Sequence, residues 1–538
     1  MEYPSIRKAN ATLLCLTLST LVCCGQFITN VPNITPREDS NVVRGVRVES
    51  ISNLEVLRIA EHNEKALSHY RQVEAQYYKN AGQGTPRYCI TFSGGGIRSA
   101  AFNIGVMKAL EEKGRLQNLD LISSVSGGSY AAAWLYTQRH ASPEGSLSSL
   151  FDDTHINYVA DRAKFVQWPS IRSMLSASLR YLSGTMFALA QIMDGRIMYV
   201  DATWFQIQYE TAIRRAFLTA PSGKIYVTAM PDIKEIVSSH HLPTVVFNSA
   251  LVVPDRTYTK WGPRIFEITP SYMGSDAVGF YPWNPENSET GWTRIDRVAR
   301  LSGAAVDATH EDSHYSQIAV QLTEASLGGY MPLEKESGVY LADGGFIDNL
   351  GAYTAIRRLC EEIIVVDAGY DPQYEFCDYR GLRDALSKEM DVDLKIEDID
   401  SIVPRTLCVN PKPHPSSDQI CPLQLSFNKH RPVMIGRVGP FPLGDGNNTL
   451  RVVYIKMAVD NKEFDLASRD SAAKSALGKK YSSTVQSWYE KRKAVSKECD
   501  PDFPHFPTTK QNFSAEQFHA YVDLGYATLT NQWDTIEQ

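Results

Sequence analysis

One serine, one aspartate and a row of glycines are the residues through which this 538-residue chain could do chemistry. The serine is Ser126, in Ser124-Val125-Ser126-Gly127-Gly128; the aspartate is Asp343, in Asp343-Gly344-Gly345. The glycine row is Ser93-Gly94-Gly95-Gly96-Ile97-Arg98. A serine hydroxyl is a weak nucleophile at neutral pH and needs a base within hydrogen-bond reach. A strand–turn–helix elbow projects such a hydroxyl above a sheet and aims the N–H groups of the next helix at the reacting carbonyl. Ser126 stands at that point, and the two glycines after it remove the Cβ atoms that would crowd so tight a turn. Three consecutive glycines between a strand and a helix make a concave row of amides that binds an anion. In an acyl transfer that anion is the tetrahedral oxyanion, and Gly94, Gly95 and Gly96 are its candidate donors. Arg98 adds a fixed positive charge one turn inside the same helix, suited to a phosphate. Asp343 closes an apolar run and is the candidate base for Ser126. A histidine would ordinarily stand between the two, but none lies in a comparably marked turn. The structural reading of Asp343 is a turn-capping aspartate.

The elements that position these residues are legible around them. Tyr88–Phe92 is a short apolar run that predicts a buried strand, followed by the glycine row and a helix over Ala100–Lys113. Leu119–Val125 predicts a second strand, and a helix over Ser129–Gln138 follows the serine turn. Strand, helix, strand, helix implies a parallel sheet with right-handed crossovers. Thr244–Val253 and Arg264–Thr269 read as further strands, and Gly338–Ala342 and Ile363–Asp367 bracket a helix near Leu350–Arg358. Asp348-Asn349 reads as a structural cap of that helix. Leu54–Asn80 has helical spacing and is stopped by Pro86. Phe165–Tyr199 is rich in apolar residues at helical spacing, with Arg172 and Arg180 interleaved. It reads as helices covering one face of the sheet in preference to a lid that meets lipid.

Bulk properties exclude several classes. A formal net charge of -7 leaves no electrostatic footprint for nucleic acid. Met1–Asn10 carries Arg7 and Lys8, Ala11–Cys24 is apolar apart from Thr and Ser, and the chain then turns polar, as in a secretory signal. Leu21-Val22-Cys23-Cys24-Gly25 resembles a bacterial lipoprotein processing box, with Cys24 the lipidated residue. The alternatives are a plain secretory signal or an uncleaved anchor. Of nine cysteines, three lie in this leader; Cys408 and Cys421 are the nearest loop pair for a disulfide, and Cys89 reads as an inert core residue. His310-Glu311-Asp312-Ser313-His314 matches H-E-x-x-H, the zinc protease motif. Its polar middle residues suit a surface loop better than a buried metal site. The acidic cluster Asp391, Asp393, Glu397, Asp398 and Asp400 lacks the turn glycine of a calcium loop and reads as a solvated face.

At the glycine row with its arginine, the S-x-S-G-G elbow and D-G-G, the chain resembles the patatin-like phospholipases, whose three blocks stand in this order. S-G-G-G-x-R is also similar to the catalytic domain of animal cytosolic phospholipases. Leu301-Ser302-Gly303-Ala304-Ala305, Ile364–Pro372 and Phe503–Pro507 extend the resemblance over roughly residues 87–526. The elbow departs from G-x-S-x-G at its first position, Ser124. The resemblance implies an α/β fold, a mixed and largely parallel sheet flanked by helices in a patatin-like three-layer sandwich. It implies Ser126 as nucleophile, Asp343 as its dyad partner, Gly94, Gly95 and Gly96 as the oxyanion hole and Arg98 as phosphate-binding, with no metal and no organic cofactor. The expected activity is hydrolysis of acyl esters of glycerophospholipids through an acyl-serine, with peripheral membrane contact; a protein partner or activator stays unspecified. The expected organisation is a signal peptide over 1–24, a tether over 25–50, a helix within 51–85, the catalytic core over 86–370 and a C-terminal extension over 371–538. The expected location is the bacterial cell envelope or outside the cell. The competing readings are a zinc-dependent hydrolase using His310 and His314 and a non-catalytic lipid-binding envelope protein.

Overall fold

The computed structural model describes residues 69, 71–78, 85–166, 204–226, 228–240, 242–251, 264–283, 293–304, 328–334, 337–372, 374–401, 432–441, 448–459, 461–495, 503–506, 508 and 511–537. The leader with Cys24, the tether, the segment 167–199, the H-E-x-x-H match and the Cys408/Cys421 pair lie outside these residues. Of the helix expected over Leu54–Asn80, residues 69 and 71–78 are described; 69 and 71–75 are helical, and the helix has ended by residue 76.

Among the described residues a twelve-stranded sheet runs in the order β10-β11-β12-β9-β1-β2-β3-β4-β5-β6, with β8 on β3 and β7 (Gly329–Glu334) on β8. Its centre is parallel: β12 (Asn448–Lys456), β9 (Glu362–Asp367), β1 (Tyr88–Phe92), β2 (Leu121–Val125) and β3 (Thr244–Leu251). Antiparallel strands extend both sides: β11 (Val433–Phe441) and β10 (Asp393–Lys395) beyond β12, and β4 (Ile265–Ile268), β5 (Tyr272–Ser275) and β6 (Gly279–Pro282) beyond β3. The segment after residue 370 therefore supplies three strands of the same sheet.

Period-two alternation explains why both faces are covered. Ile90, Phe92, Ile122, Val245, Phe247, Ile364, Val366, Val453 and Ile455 point into one core. Cys89, Leu121, Val246, Ile363, Val365, Val452 and Tyr454 point into the other. The first core is roofed by α1 (Gly96–Glu112), α2 (Gly127–Ala141), α3 (Trp204–Phe217) and α4 (Ile295–Ser302). The second lies under α5 (Gly345–Asp348), α6 (Ala352–Arg357) and α7 (Cys377–Met390). The result is three layers, with the C-terminal α8 (Ala515–Asn531) joining the first core beside α1. Among the described residues no helix is long and apolar enough to cross a membrane.

Two expectations shift in detail. Helices α1 and α2 start at Gly96 and Gly127, earlier than Ala100 and Ser129. The glycines are themselves the first helical residues, and the turns are made by Gly95 and Ser126 just before them. Cys89 is not an inert core residue: it forms a disulfide with Cys360, their Cα atoms 6.0 Å apart across 271 residues. Its side chain points to the second face, where the turn after α6 brings Cys360 back to enter β9. Cys377 is disulfide-bonded as well.

Candidate active site

Sheet topology brings Ser126 and Asp343 together. Strand β2 runs parallel to the first half of β3 and ends with Val125 beside Asn248. Strand β8 (Ser337–Asp343) runs antiparallel to the second half of β3 and ends with Asp343 beside Ser249. Since β4 takes the other edge of β3 at residues 247–250, β2 and β8 share one edge and point at each other end to end. The residues that leave their tips are Ser126 and Gly344. Ser126 Oγ donates to Asp343 Oδ2 at 3.0 Å, and both residues are 5% exposed.

Ser126 adopts φ 51° and ψ -120°. That conformation costs a non-glycine residue about 1–3 kcal/mol and persists only where its surroundings enforce it. The enforcing contacts are specific. Ser126 N–H donates to Ser302 Oγ at 3.0 Å, and Ser302 Oγ donates to the Asn248 carbonyl at 2.7 Å. Ser129 Oγ lies 2.8 Å from Ser302 Oγ and 3.1 Å from Ser124 Oγ, whose own proton goes to the Val246 carbonyl. Asn248 Nδ2 donates to Ser123 Oγ and to the Ser124 carbonyl, while its Oδ1 accepts from Thr354 Oγ1 at 2.8 Å. The serine at position 124, where the elbow pattern has glycine, is thus absorbed into β2 as a member of a buried polar network. Gly127 is required by proximity: a Cβ there would collide with the Gly96 backbone. This close approach sets the Ser126 turn against the glycine row.

In that row Gly95 (φ 136°) and Gly96 (φ 62°) occupy backbone conformations that favour glycine. They form the N-cap and first residue of α1, where N–H groups have no partner within the helix and the helix dipole favours a negative charge. Gly94 differs from expectation. Its N–H already donates to the Asn349 carbonyl at 2.8 Å, which leaves Gly95 and Gly96 as the candidate donors of the row.

Burial pushes the Asp343 carboxyl up to about 7, against the opposing pull of hydrogen bonds from Gly345 N–H and Ser126. The Gly345 bond holds Oδ1 at 2.8 Å and leaves Oδ2 to the serine. Tyr130 and Tyr209, hydroxyls 3.0 Å apart, lie nearby, and burial, with a smaller contribution from the charge of Asp343, raises both phenols above their ordinary range. Asp348 does cap α6, as its sequence position implied: its carboxylate accepts from Leu350 N–H and Tyr353 N–H at 3.2 and 2.8 Å.

Arg98 departs from its expected role. It is 2% exposed, and burial lowers its pKa. Its Nε and Nη2 donate to the Ala368 carbonyl at 3.3 and 3.2 Å, Nη1 to the Phe506 carbonyl, and Nη2 also reaches Thr508 Oγ1 at 3.5 Å. A guanidinium bound to those acceptors clamps the C-terminal segment to α1 and is not presented to a substrate phosphate. Position in the helix was readable from sequence; side-chain direction depended on where residues 503–506 and 508 fold back.

Sequence alone gives Ser302 and Asn248 no part in the site, and Asn349 only a place in a helix cap. Ser302 lies within the small-residue block noted above, and that block was its only signal. Asn248 sits unmarked within a strand.

The Patatin-like phospholipase family model matches residues 90–356. No curated protein matches the chain. Among solved structures, human GIVD cytosolic phospholipase A2 aligns with a TM-score of 0.51 at 13% identity, over 90% of this chain and 66% of that one. The same human protein in complex with methyl gamma-linolenyl fluorophosphonate aligns at TM-score 0.48 and 14% identity, over 90% of this chain and 63% of that one. VipD from Legionella pneumophila aligns at TM-score 0.26 and 12% identity, over 84% of this chain and 67% of that one. The chain therefore spans just under two thirds of the length of the human structure, and at this identity the likeness is one of fold.

Proposed function

We propose that the protein, whose residues 90–356 match the Patatin-like phospholipase family model, is a lipid acyl-ester hydrolase that works through Ser126 and Asp343. The observation that carries this reading is the 3.0 Å contact between Ser126 Oγ and Asp343 Oδ2 at the N-terminus of α2. In the first half-reaction Ser126 Oγ bonds to the ester carbonyl carbon while its proton passes to Asp343 Oδ2. The carbonyl electron pair moves onto oxygen, which the N–H groups of Gly95 and Gly96 receive. Collapse of this intermediate breaks the carbon–alkoxy bond. The leaving oxygen takes the proton from Asp343, leaving an acyl-serine. In the second half-reaction Asp343 takes a proton from water as the water oxygen attacks the acyl carbon. Ser126 then leaves with that proton, and a fatty acid is released. A carboxyl titrating near 7 suits a base that must accept and return a proton at neutral pH.

The proposed substrate is a glycerophospholipid presented at a membrane surface, hydrolysed in the phospholipase A or lysophospholipase manner. Export to the cell envelope, with Cys24 as the anchor, belongs to the same proposal. The Cys89–Cys360 disulfide supports it, because such bonds persist in oxidising compartments.

The test is free fatty acid released from phosphatidylcholine and phosphatidylethanolamine vesicles by wild type and Ser126→Ala, each with and without a zinc chelator. Release that survives the chelator and disappears in the variant is expected. Release that survives the substitution overturns the assignment, and release abolished by the chelator shifts it to His310 and His314. A wild type that neither releases fatty acid nor takes up a fluorophosphonate at Ser126 supports the non-catalytic lipid-binding reading.

A further inference from the structure

Asn349 lies between the two halves of the site. Its carbonyl accepts the Gly94 N–H at 2.8 Å. Its side-chain Oδ1 occupies the space beside Gly94, where a Cβ would collide with it, and would lie 2.8 Å from a Cβ built on Gly345. Gly94 belongs to the loop that carries the oxyanion donors, and Gly345 N–H holds Asp343. One short side chain therefore fills the gap between the donor loop and the carboxylate loop.

The Asn349 amide is itself held from behind. Its Nδ2 donates to Asp378 Oδ2, on α7, at 2.7 Å. Burial and the neighbouring Asp367 push Asp378 up to about 6, so at pH 7.5 it is mainly an ionised acceptor. Gly369 is packed among Asp378, Asn349 and Asp367, with its N–H donating to Asp367 Oδ1 at 3.0 Å. Asp367 in turn binds the buried Lys456 of β12 at 2.7 Å and Tyr454 at 2.5 Å, and Lys456 also reaches Asp371 at 2.9 Å. A buried polar cluster thus runs from β12 to the glycine row: charge-assisted bonds, which are stronger and more directional than neutral ones, join Lys456 to Asp367 and Asp378 to Asn349, and packing at Gly369 links the two pairs. It lies almost wholly outside residues 90–356.

We propose that Asn349 and Asp378 are positioning residues: their hydrogen bond fixes the spacing between the donor loop at Gly94–Gly96 and Asp343. The role rests on the catalytic reading above. Neither side chain touches the ester. Each acts on the transition state by keeping the Gly95 and Gly96 donors aligned with an oxyanion formed at Ser126. A misplacement of ~1 Å costs about 100-fold in rate, comparable to losing one oxyanion donor.

The experiment is a donor–acceptor swap. N349D sets two carboxylates against each other, D378N removes the ionised acceptor, and N349D/D378N restores one donor facing one acceptor. Fatty acid release gives kcat and KM, and the rate of fluorophosphonate labelling of Ser126 is measured in parallel, with thermal melting reporting folding. N349D is expected to lower kcat and labelling by about 100-fold with KM within about threefold, and the double variant to recover at least tenfold of that loss. Folded N349D with wild-type labelling and kcat overturns the proposal. So does a folded double variant no faster than N349D. If N349D fails to fold, D378N and Asn349→Ala carry the same comparison. Labelling needs no lipid, so a wrong substrate would leave it intact and the two failures separate.

Discussion

Asp343→Asn should make the protein more stable at alkaline pH while abolishing its activity. The side chain is nearly isosteric. Its Oδ1 can still accept the Gly345 N–H, and its amide nitrogen can donate to Ser126 Oγ where Oδ2 now accepts. What disappears is a buried carboxyl that titrates near 7 in the folded protein and near 3.9 in an unfolded chain. Between those values the folded state keeps a proton that the unfolded state has lost. Wild-type stability from this group therefore falls as pH rises from about 4 to about 7, and the loss is complete above 7. Carried to pH 8, the cost is roughly 4 kcal/mol, against about 1.5 kcal/mol at pH 5. The stability of Asp343→Asn relative to wild type should thus improve by about 2.5 kcal/mol between pH 5 and pH 8. Urea unfolding of both proteins at the two pH values reads this difference, and other titrating groups cancel in it. In the same samples fatty acid release should fall about 1000-fold, as for loss of a general base. A stability difference that is flat with pH would refute the claim that burial holds this carboxyl near 7. Retained activity would refute its role as the base.

Wild-type kcat/KM should rise about tenfold per pH unit below neutrality and level off above about 7, because Asp343 must be ionised to take the serine proton; a pH–rate profile on vesicles that shows no limb between 5 and 8 contradicts this. Ser302→Ala leaves the Ser126 N–H without its acceptor in a buried site, so denaturant titration should show a loss of about 1–3 kcal/mol and kcat should fall with little change in KM. Gly127→Ala places a methyl group into the Gly96 backbone; fluorophosphonate labelling of Ser126 should be lost even in whatever fraction remains folded. Cys360→Ala opens a cross-link spanning 271 residues, for which chain entropy gives about 5–6 kcal/mol; a melting temperature unchanged from that of wild type would show that the bond does not stabilise the fold.

The local chemistry was legible because it is local. Strand β1, the glycine row and α1 follow one another within Tyr88–Glu112, and β2, Ser126 and α2 within Leu121–Ala141. Apolar runs, glycines and helical spacing are short-range signals, and they located the strands to within a few residues. The helix starts were read too late because a glycine weakens helix propensity, and in both turns the glycine is the first helical residue. Resemblance paired Ser126 with Asp343, but their sequence separation of 217 residues carries no geometry.

What the sequence determined by itself is the kind of chemistry: a serine at a strand-to-helix turn, amides at a helix N-terminus and an aspartate closing a strand. Which groups meet was decided only by the tertiary structure. Strands β2 and β8 sharing one edge of β3 put hydroxyl and carboxylate at hydrogen-bond distance. The fold-back that brings Phe506 and Thr508 to α1 turned Arg98 from an expected phosphate ligand into an internal clamp. Gly94 lost its N–H to Asn349 for the same kind of reason. Hydrogen-bond partners across hundreds of residues depend on strand order and register, which no local pattern of residue types encodes, and burial of Asp343 by those same strands is what gives its carboxyl a pKa suited to a base.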